Sequence, residues 1–242
     1  MQKRAFLKGG LAALGGFGLM GAASAANPAA GNIPAAKDIK WDEEFDTIIV
    51  GSGVAATCAG NEALDQGLKK VIMVEKMPVY GGNSAITGFW INIPRSPEQL
   101  KHGVTDDSPE LFLKDTLKAG EGFNDPALAK ALCFNALDAY NYLLERGCKF
   151  APTPFIQGGQ SKIRSLAPEV SAGISVMLPL HRYFLSKGGI MRKNTIVDEV
   201  IKDETGRAVG VAVREGYAFD INSRDNDLTN TTGTRQIGRA HV

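Results

Sequence analysis

Cysteine is scarce: Cys58, Cys133 and Cys148 are the only three in 242 residues. They are too few and too scattered for a disulfide framework or a zinc site, and no C-x-x-C-H run offers attachment to a c-type haem. Each is expected to be a small buried apolar residue. Excess charge is missing as well. The chain has 27 basic against 26 acidic residues, a formal net charge of +1. Such balance gives no electrostatic reason to expect nucleic acid or an anionic membrane as partner. The apolar stretch from Leu11 to Ala23 is rich in Gly and Ala, too short and too weakly hydrophobic for a stable membrane span. What remains is ordinary globular composition, 44% hydrophobic and 22% charged. That suffices for one sizeable core or part of a two-domain enzyme.

Neither end reads as fold. Lys3, Arg4 and Lys8 form a positive n-region, the apolar stretch follows, and Ala23-Ser24-Ala25 fits a small-x-small cleavage site. Residues 1–25 are therefore expected to be an export signal that delivers the protein to the periplasm. The competing reading is an uncleaved N-terminal anchor. Lys3-Arg4-Ala5-Phe6-Leu7-Lys8 is similar to the twin-arginine signal, with lysine in place of the first arginine. That pathway carries folded proteins, so a cofactor can be loaded before export. Residues 26–43, rich in Ala, Pro and Gly up to Lys40, read as a flexible linker, and 44–236 as the folded part. Ile237-Gly238-Arg239-Ala240-His241-Val242 back-translates to the string of a common sequencing-library adapter. These six residues are expected to be non-native, on a chain truncated near Gln236.

The folded part opens on a dinucleotide signature. Phe45 to Val50 is a β-branched apolar run that ends in Gly51-Ser52-Gly53-Val54-Ala55-Ala56. Small and aliphatic residues follow to Gly67, then Val71-Ile72-Met73-Val74 and Glu75. The order is strand, glycine turn, helix, strand, acid. Gly51 permits the tight turn, Gly53 lets backbone approach a pyrophosphate, and Ala56 and Gly60 let the helix lie close on the sheet. The helix N-terminus turns unpaired N–H groups and a partial positive charge toward the phosphates. Glu75 is placed to accept hydrogen bonds from both ribose hydroxyls, and its charge disfavours a 2′-phosphate. Tyr80-Gly81-Gly82-Asn83-Ser84-Ala85-Ile86-Thr87-Gly88 comes next. It suits a backbone wrapped around an extended cofactor; by itself it also reads as an ordinary glycine turn.

These segments together resemble the fumarate reductase flavoprotein and flavocytochrome c family, which includes enoate reductases and 3-oxosteroid dehydrogenases. Glu75-Lys76 and Gly81-Gly82-Asn83-Ser84 are similar to the family's E-K and G-G-N-[ST] segments. Asp107 to Phe112 and Asn124 to Leu128 resemble its next helix starts, Gly206 to Val211 its later hairpin, and Tyr217 to Asp220 with Asn230 to Gly233 a polar segment of exported members. The resemblance runs from about Phe45 to Thr234. It implies an α/β fold: a Rossmann-like FAD-binding domain of the fumarate reductase/succinate dehydrogenase flavoprotein type, incomplete, with the capping substrate domain missing. It further implies FAD contacts from Gly51, Ser52, Gly53, Ala55, Ala56, Glu75, Lys76, Gly82, Asn83, Ser84, Thr87 and Gly88, and from Val197 at the adenine end. Phe89-Trp90 stands where many relatives have a second glycine, and Leu166-Ala167-Pro168 where many have His-Arg-Pro. No histidine lies beside Asn83, where covalent-flavin relatives carry theirs, so noncovalent FAD is expected. The family's catalytic arginine and substrate-clamping residues fall beyond this sequence, so no catalytic residue is assigned, and no metal ligand.

Asp125 caps a helix with Pro126 at its first position, and Gly147 is expected to end it. Leu128, Leu132, Ala136, Ala139 and Leu143 recur at helical spacing as its apolar face. Ser108-Pro109 opens a shorter helix. Val170 to Leu185 reads as another, whose His181-Arg182 either approaches a pocket or, the favoured reading, lies on a solvated face, and Ile196 to Val213 reads as two strands around a polar turn. The function expected is flavin-dependent reduction of an activated carbon–carbon double bond. Fumarate or a similar small unsaturated acid is the expected substrate, and a separate cytochrome the expected electron donor. The alternatives are desaturation of a 3-oxosteroid and a noncatalytic FAD-binding or electron-relay subunit.

Overall fold

The computed structural model describes residues 36–170, 172–220, 222 and 234–238, the last five by their backbone. The export signal expected over residues 1–25 and the polar stretch 223–233 lie outside these residues, as does most of the expected linker.

The first strand, β1 (Thr47–Val50), and the second, β2 (Val71–Val74), pair in parallel with Thr47 opposite Val71. Helix α1 (Val54–Asp65) crosses between them. A third parallel strand, β5 (Ile190–Arg192), pairs with β2, giving the order β1-β2-β5. Every residue of β2 is buried, as a central parallel strand covered on both faces must be. On one face Ile72 and Val74 pack with Phe45, Val211 and Val213. On the other Val71 and Met73 pack with Ile49, Leu64 and Phe184. Gly60 of α1 sets the spacing of that layer: a Cβ there would lie 2.7 Å from the Phe184 ring and 3.0 Å from Ile49.

After β2 come the short helix α2 (Gly82–Ile86) and strand β3 (Ile91–Asn92). Helices α3 (Pro97–Lys101) and α4 (Pro109–Ala119) both start on Ser-Pro, with Ser96 and Ser108 hydroxyls accepting from Gln99 and Leu111 N–H. The long helix expected from Asp125 to Gly147 is two. Asp125 caps α5 (Pro126–Phe134) as expected, but Asn135 breaks the rod and α6 (Ala136–Glu145) follows. The Asn135 side chain donates to the Ala131 carbonyl, the local competition that makes asparagine a poor interior helix residue. The buried face also differs. Ala129, Cys133, Ala136, Tyr140 and Leu143 are buried, whereas Leu128 and Leu132 are 71% and 60% exposed. Small residues line α5 where it packs on α4, so the wide leucines are displaced outward.

Strand β4 (Ser165–Leu166) pairs with β3, and helix α7 (Ile174–Ser186) leads into β5. Ahead of β4, Arg164 is fully buried between Asp107 and Asp115, donating to both. The expected hairpin is present as β6 (Thr195–Lys202) and β7 (Ala208–Glu215). Its turn is closed by Asp203, whose carboxylate accepts from Thr205 and Arg207 N–H. Strand β8 (Thr234–Gly238) adds to β7, with Ile237 opposite Val211. It runs two residues past Gln236, the expected end of the folded part. The linker, too, is shorter than its sequence suggests: Ile39 is buried against Ile201 and Ala212, and Glu43 pairs with Arg192 at 2.9 Å. Cys133 and Cys148 are buried and Cys58 half-buried, all three free. Burial pushes the Cys148 thiol up to about 12.

Candidate cofactor site

Strand β1 delivers the chain to Gly51, whose N–H closes the parallel ladder on the Val74 carbonyl at 2.7 Å. Gly51 then turns with φ 91°, a conformation open to glycine and costly for any residue bearing a Cβ. No atom lies within 4 Å of where its Cβ would stand. Gly53 is the N-cap of α1 and supplies no side-chain acceptor, and the first turn holds no acidic residue. The N-terminal N–H groups of α1, with Ala55 exposed and Ala56 half-buried beside them, form an uncapped positive helix end. Val54 N–H is the exception, donating to the Ser84 hydroxyl at 3.1 Å.

Ser52 joins the parts. Its N–H and hydroxyl both donate to Glu75 Oε2, at 3.1 and 2.6 Å, and the hydroxyl accepts from Gly81 N–H at 2.9 Å. Met77 N–H donates to Glu75 Oε1 at 2.9 Å. A carboxylate offers about four acceptor positions, and three are filled. Glu75 can therefore take one more hydroxyl as it stands; accepting two, as the sequence suggests, requires a Ser52 donor to move.

His181 departs from expectation. Instead of lying on a solvated face it is buried, with Nε2 3.0 Å from the Ser52 carbonyl and 3.1 Å from the Thr57 hydroxyl. Burial holds its pKa below the ordinary histidine value. Its neighbour Arg182 is exposed. Tyr80 meets the His181 ring edge-on, and burial with the nearby Glu75 charge pushes the Tyr80 phenol up.

Gly82, Asn83, Thr87 and Gly88 are exposed along the α2 segment. Thr87, Gly88, Phe89, Trp90 and Gln157 line an open pocket. Trp90 packs edge-on against Phe155 at 5.3 Å, and Gln157 accepts from the Asn92 amide at 2.8 Å. Phe89 takes φ 51°, which accounts for the glycine that many members of the resembled family carry there. Lys76 is exposed, its Nζ 5.9 Å from the Tyr217 ring. Val197 stands apart on β6, half-buried against the Phe45 and Ile72 cluster. Its strand touches the site through Thr195 N–H, which donates to the Glu75 carbonyl at 2.9 Å. The structure thus gathers Gly51 to Ala56, Glu75 and Gly82 to Ser84, brings in His181, for which the sequence favours a solvated face over a pocket, and adds Thr57 and Gln157, which sequence spacing did not mark.

An uncapped helix start, an open glycine turn and a buried acid at the end of the second strand fit a dinucleotide with its diphosphate on the backbone. Comparison with known proteins agrees. A family model described as the FAD binding domain matches residues 46–241. The acrylate reductase flavoprotein subunit of Shewanella woodyi is 37% identical over 91% of this chain and 42% of its own length. A fumarate reductase (cytochrome) of Shewanella frigidimarina is 35% identical over 72% of this chain and 30% of its own. This chain therefore spans less than half the length of either relative. Among solved structures, the open conformation of a flavocytochrome c3 fumarate reductase superposes with a TM-score of 0.71 at 26% identity, over 82% of this chain and 32% of that one. A 3-ketosteroid-delta4-(5alpha)-dehydrogenase from Rhodococcus jostii shares the fold, with a TM-score of 0.70 at 22% identity over 85% and 46%. The chain belongs to the FAD binding domain family, with FAD as its cofactor, and is similar to the flavoproteins of acrylate and fumarate reductases.

Proposed function

We propose that this chain is the FAD-binding portion of an exported flavoprotein reductase that saturates the activated double bond of a small unsaturated carboxylic acid, such as acrylate or fumarate. The observation that carries the reading is the 37% identity to an acrylate reductase flavoprotein subunit across 91% of this chain. When bound, FAD supplies the two-electron chemistry. This chain's own residues bind and orient. The α1 N-terminus and the Gly51–Gly53 backbone receive the diphosphate, Glu75 accepts a ribose hydroxyl, and Ser84 fixes the α1 entry through Val54 N–H. Thr87, Gly88, Phe89 and Trp90 wall the pocket beyond. FAD is held noncovalently, since no histidine adjoins Asn83. A separate cytochrome is the electron donor that this reading proposes, in line with a relative named fumarate reductase (cytochrome). The leader around Arg4 supports twin-arginine-type export to the periplasm as a loaded protein.

The test is oxidation of reduced methyl viologen by the full-length, FAD-loaded protein with acrylate and with fumarate. Turnover with either supports the reading, and no turnover with any enoate overturns it. Desaturation of a 3-oxosteroid is a second reading, supported by 42% identity to the 3-oxosteroid 1-dehydrogenase of Comamonas testosteroni, though over only 29% of this chain. Dye reduction driven by a 3-oxosteroid would decide for it.

A further inference from the structure

We infer that His181 is a positioning residue for the cofactor turn, holding the Ser52 carbonyl so that the Gly53 N–H is presented to the diphosphate of FAD. The inference rests on the FAD assignment and not on the substrate proposed above. A carbonyl oxygen only accepts, so the Nε2 that stands 3.0 Å from Ser52 O must carry the ring proton. Thr57 completes the clamp. Its hydroxyl donates to the Gly53 carbonyl at 2.9 Å and lies 3.1 Å from the same His181 Nε2. In a trans peptide the C=O and N–H point to opposite sides. Drawing the Ser52 carbonyl toward α7 therefore turns the Gly53 N–H away from α7, and drawing the Gly53 carbonyl toward Thr57 turns the Val54 N–H toward Ser84. Two consecutive peptide planes of the turn are set by side chains from α7 and α1. The ring itself has little freedom, being buried, edge-on to Tyr80, and next to Leu180, whose carbonyl accepts from the Asn61 amide at 3.3 Å. Gly51 and Gly53 bring no side chain to the turn, and the Ser52 hydroxyl is engaged by Glu75 and Gly81, so the Ser52 carbonyl depends on partners from outside the turn.

The experiment titrates FAD into the full-length apoprotein, reading flavin fluorescence, with apoprotein melting measured alongside. His181→Leu is expected to weaken FAD binding by about tenfold or more, as loss of an oriented buried hydrogen bond implies. It also shrinks the FAD-induced rise in melting temperature. His181→Gln places an amide N–H at the same reach and is expected to bind within about threefold of wild type. Wild-type affinity in His181→Leu, or a His181→Gln as weak as the leucine variant, overturns the inference. Should the leucine variant fail to fold, histidine NMR of the wild-type protein carries the test. The expected result is a neutral Nε2–H tautomer whose ring proton exchanges more slowly once FAD is bound. An Nδ1–H tautomer, or ring signals unmoved by FAD, refutes it.

Discussion

The Ser52 hydroxyl donates to the Glu75 carboxylate over 2.6 Å, across 23 residues of chain, and ties the glycine turn to the acid that ends the second strand. The same hydroxyl accepts from Gly81 N–H. Ser52→Ala therefore removes a charge-assisted bond and leaves Gly81 N–H unpaired in a buried place. Glu75 keeps Ser52 N–H and Met77 N–H, so its charge is not abandoned. The expected loss is about 1–3 kcal/mol of stability, measured by urea unfolding, together with weaker FAD binding. An unchanged urea midpoint would mean that the bond contributes nothing.

The His181 ring gives stability a pH dependence of known sign. Its folded pKa lies below the ordinary value of 6.5 because it is buried. Below about 6.5 the unfolded chain therefore binds more protons than the folded one, and stability falls as pH falls through that value toward the folded pKa. Tyr80 is the titratable side chain that meets the ring, and the bond to the Ser52 carbonyl, which favours the protonated ring, does not outweigh burial. Urea midpoints of the apoprotein at pH 7.5 and 5.5 are expected to differ, with the difference reduced in His181→Gln. Equal slopes for both proteins would place the effect elsewhere.

The glycine turn, the second strand and Glu75 are legible in the sequence because each is dictated by neighbours a few residues away. The hairpin around Asp203 is legible for the same reason. The split at Asn135 is not, since Leu128/Leu132 and Ala129/Cys133 offer two helical stripes one residue apart. Burying the smaller pair is decided by close packing on α4, which sequence periodicity does not carry. His181 reads as a surface residue because its partners, Ser52 and Thr57, lie 129 and 124 residues away. Strand β5, three residues long, depends on the open edge of β2 rather than on any pattern of its own.

Arg164 is a buried cation between two carboxylates. It donates to Asp107 at 2.7 and 2.8 Å and to Asp115 at 2.7 Å, while Gln99 and Ser161 supply further donors to the same acids. Burial pushes the Asp115 carboxyl upward, but the bonds from Ser161 and Arg164 outweigh it and hold its pKa low. Arg164→Met strands two buried carboxylates and is expected to cost about 3–5 kcal/mol. The double variant with Asp107→Asn removes one of them, so its cost should be less than the sum of the singles. Strict additivity in urea unfolding would contradict a shared network.

Phe89 joins a strained backbone to a half-buried ring, and the two effects oppose each other. Its φ of 51° costs a residue with a Cβ about 1–2 kcal/mol. The ring packs on the cluster of Leu143, Cys148, Val176 and Leu180, worth about 2 kcal/mol for a half-exposed phenylalanine. Phe89→Ala loses the packing and keeps the strain. Phe89→Gly loses the packing and relieves the strain, against about 0.5–1 kcal/mol for the freer unfolded chain. The larger truncation is therefore expected to be the less harmful: the glycine variant should be about 1 kcal/mol less stable than wild type, and the alanine variant about 2. Both widen the pocket beside Trp90 equally well, so any difference between them in urea unfolding reports on the backbone. Alanine as stable as glycine would mean that the left-handed conformation at this position carries no cost.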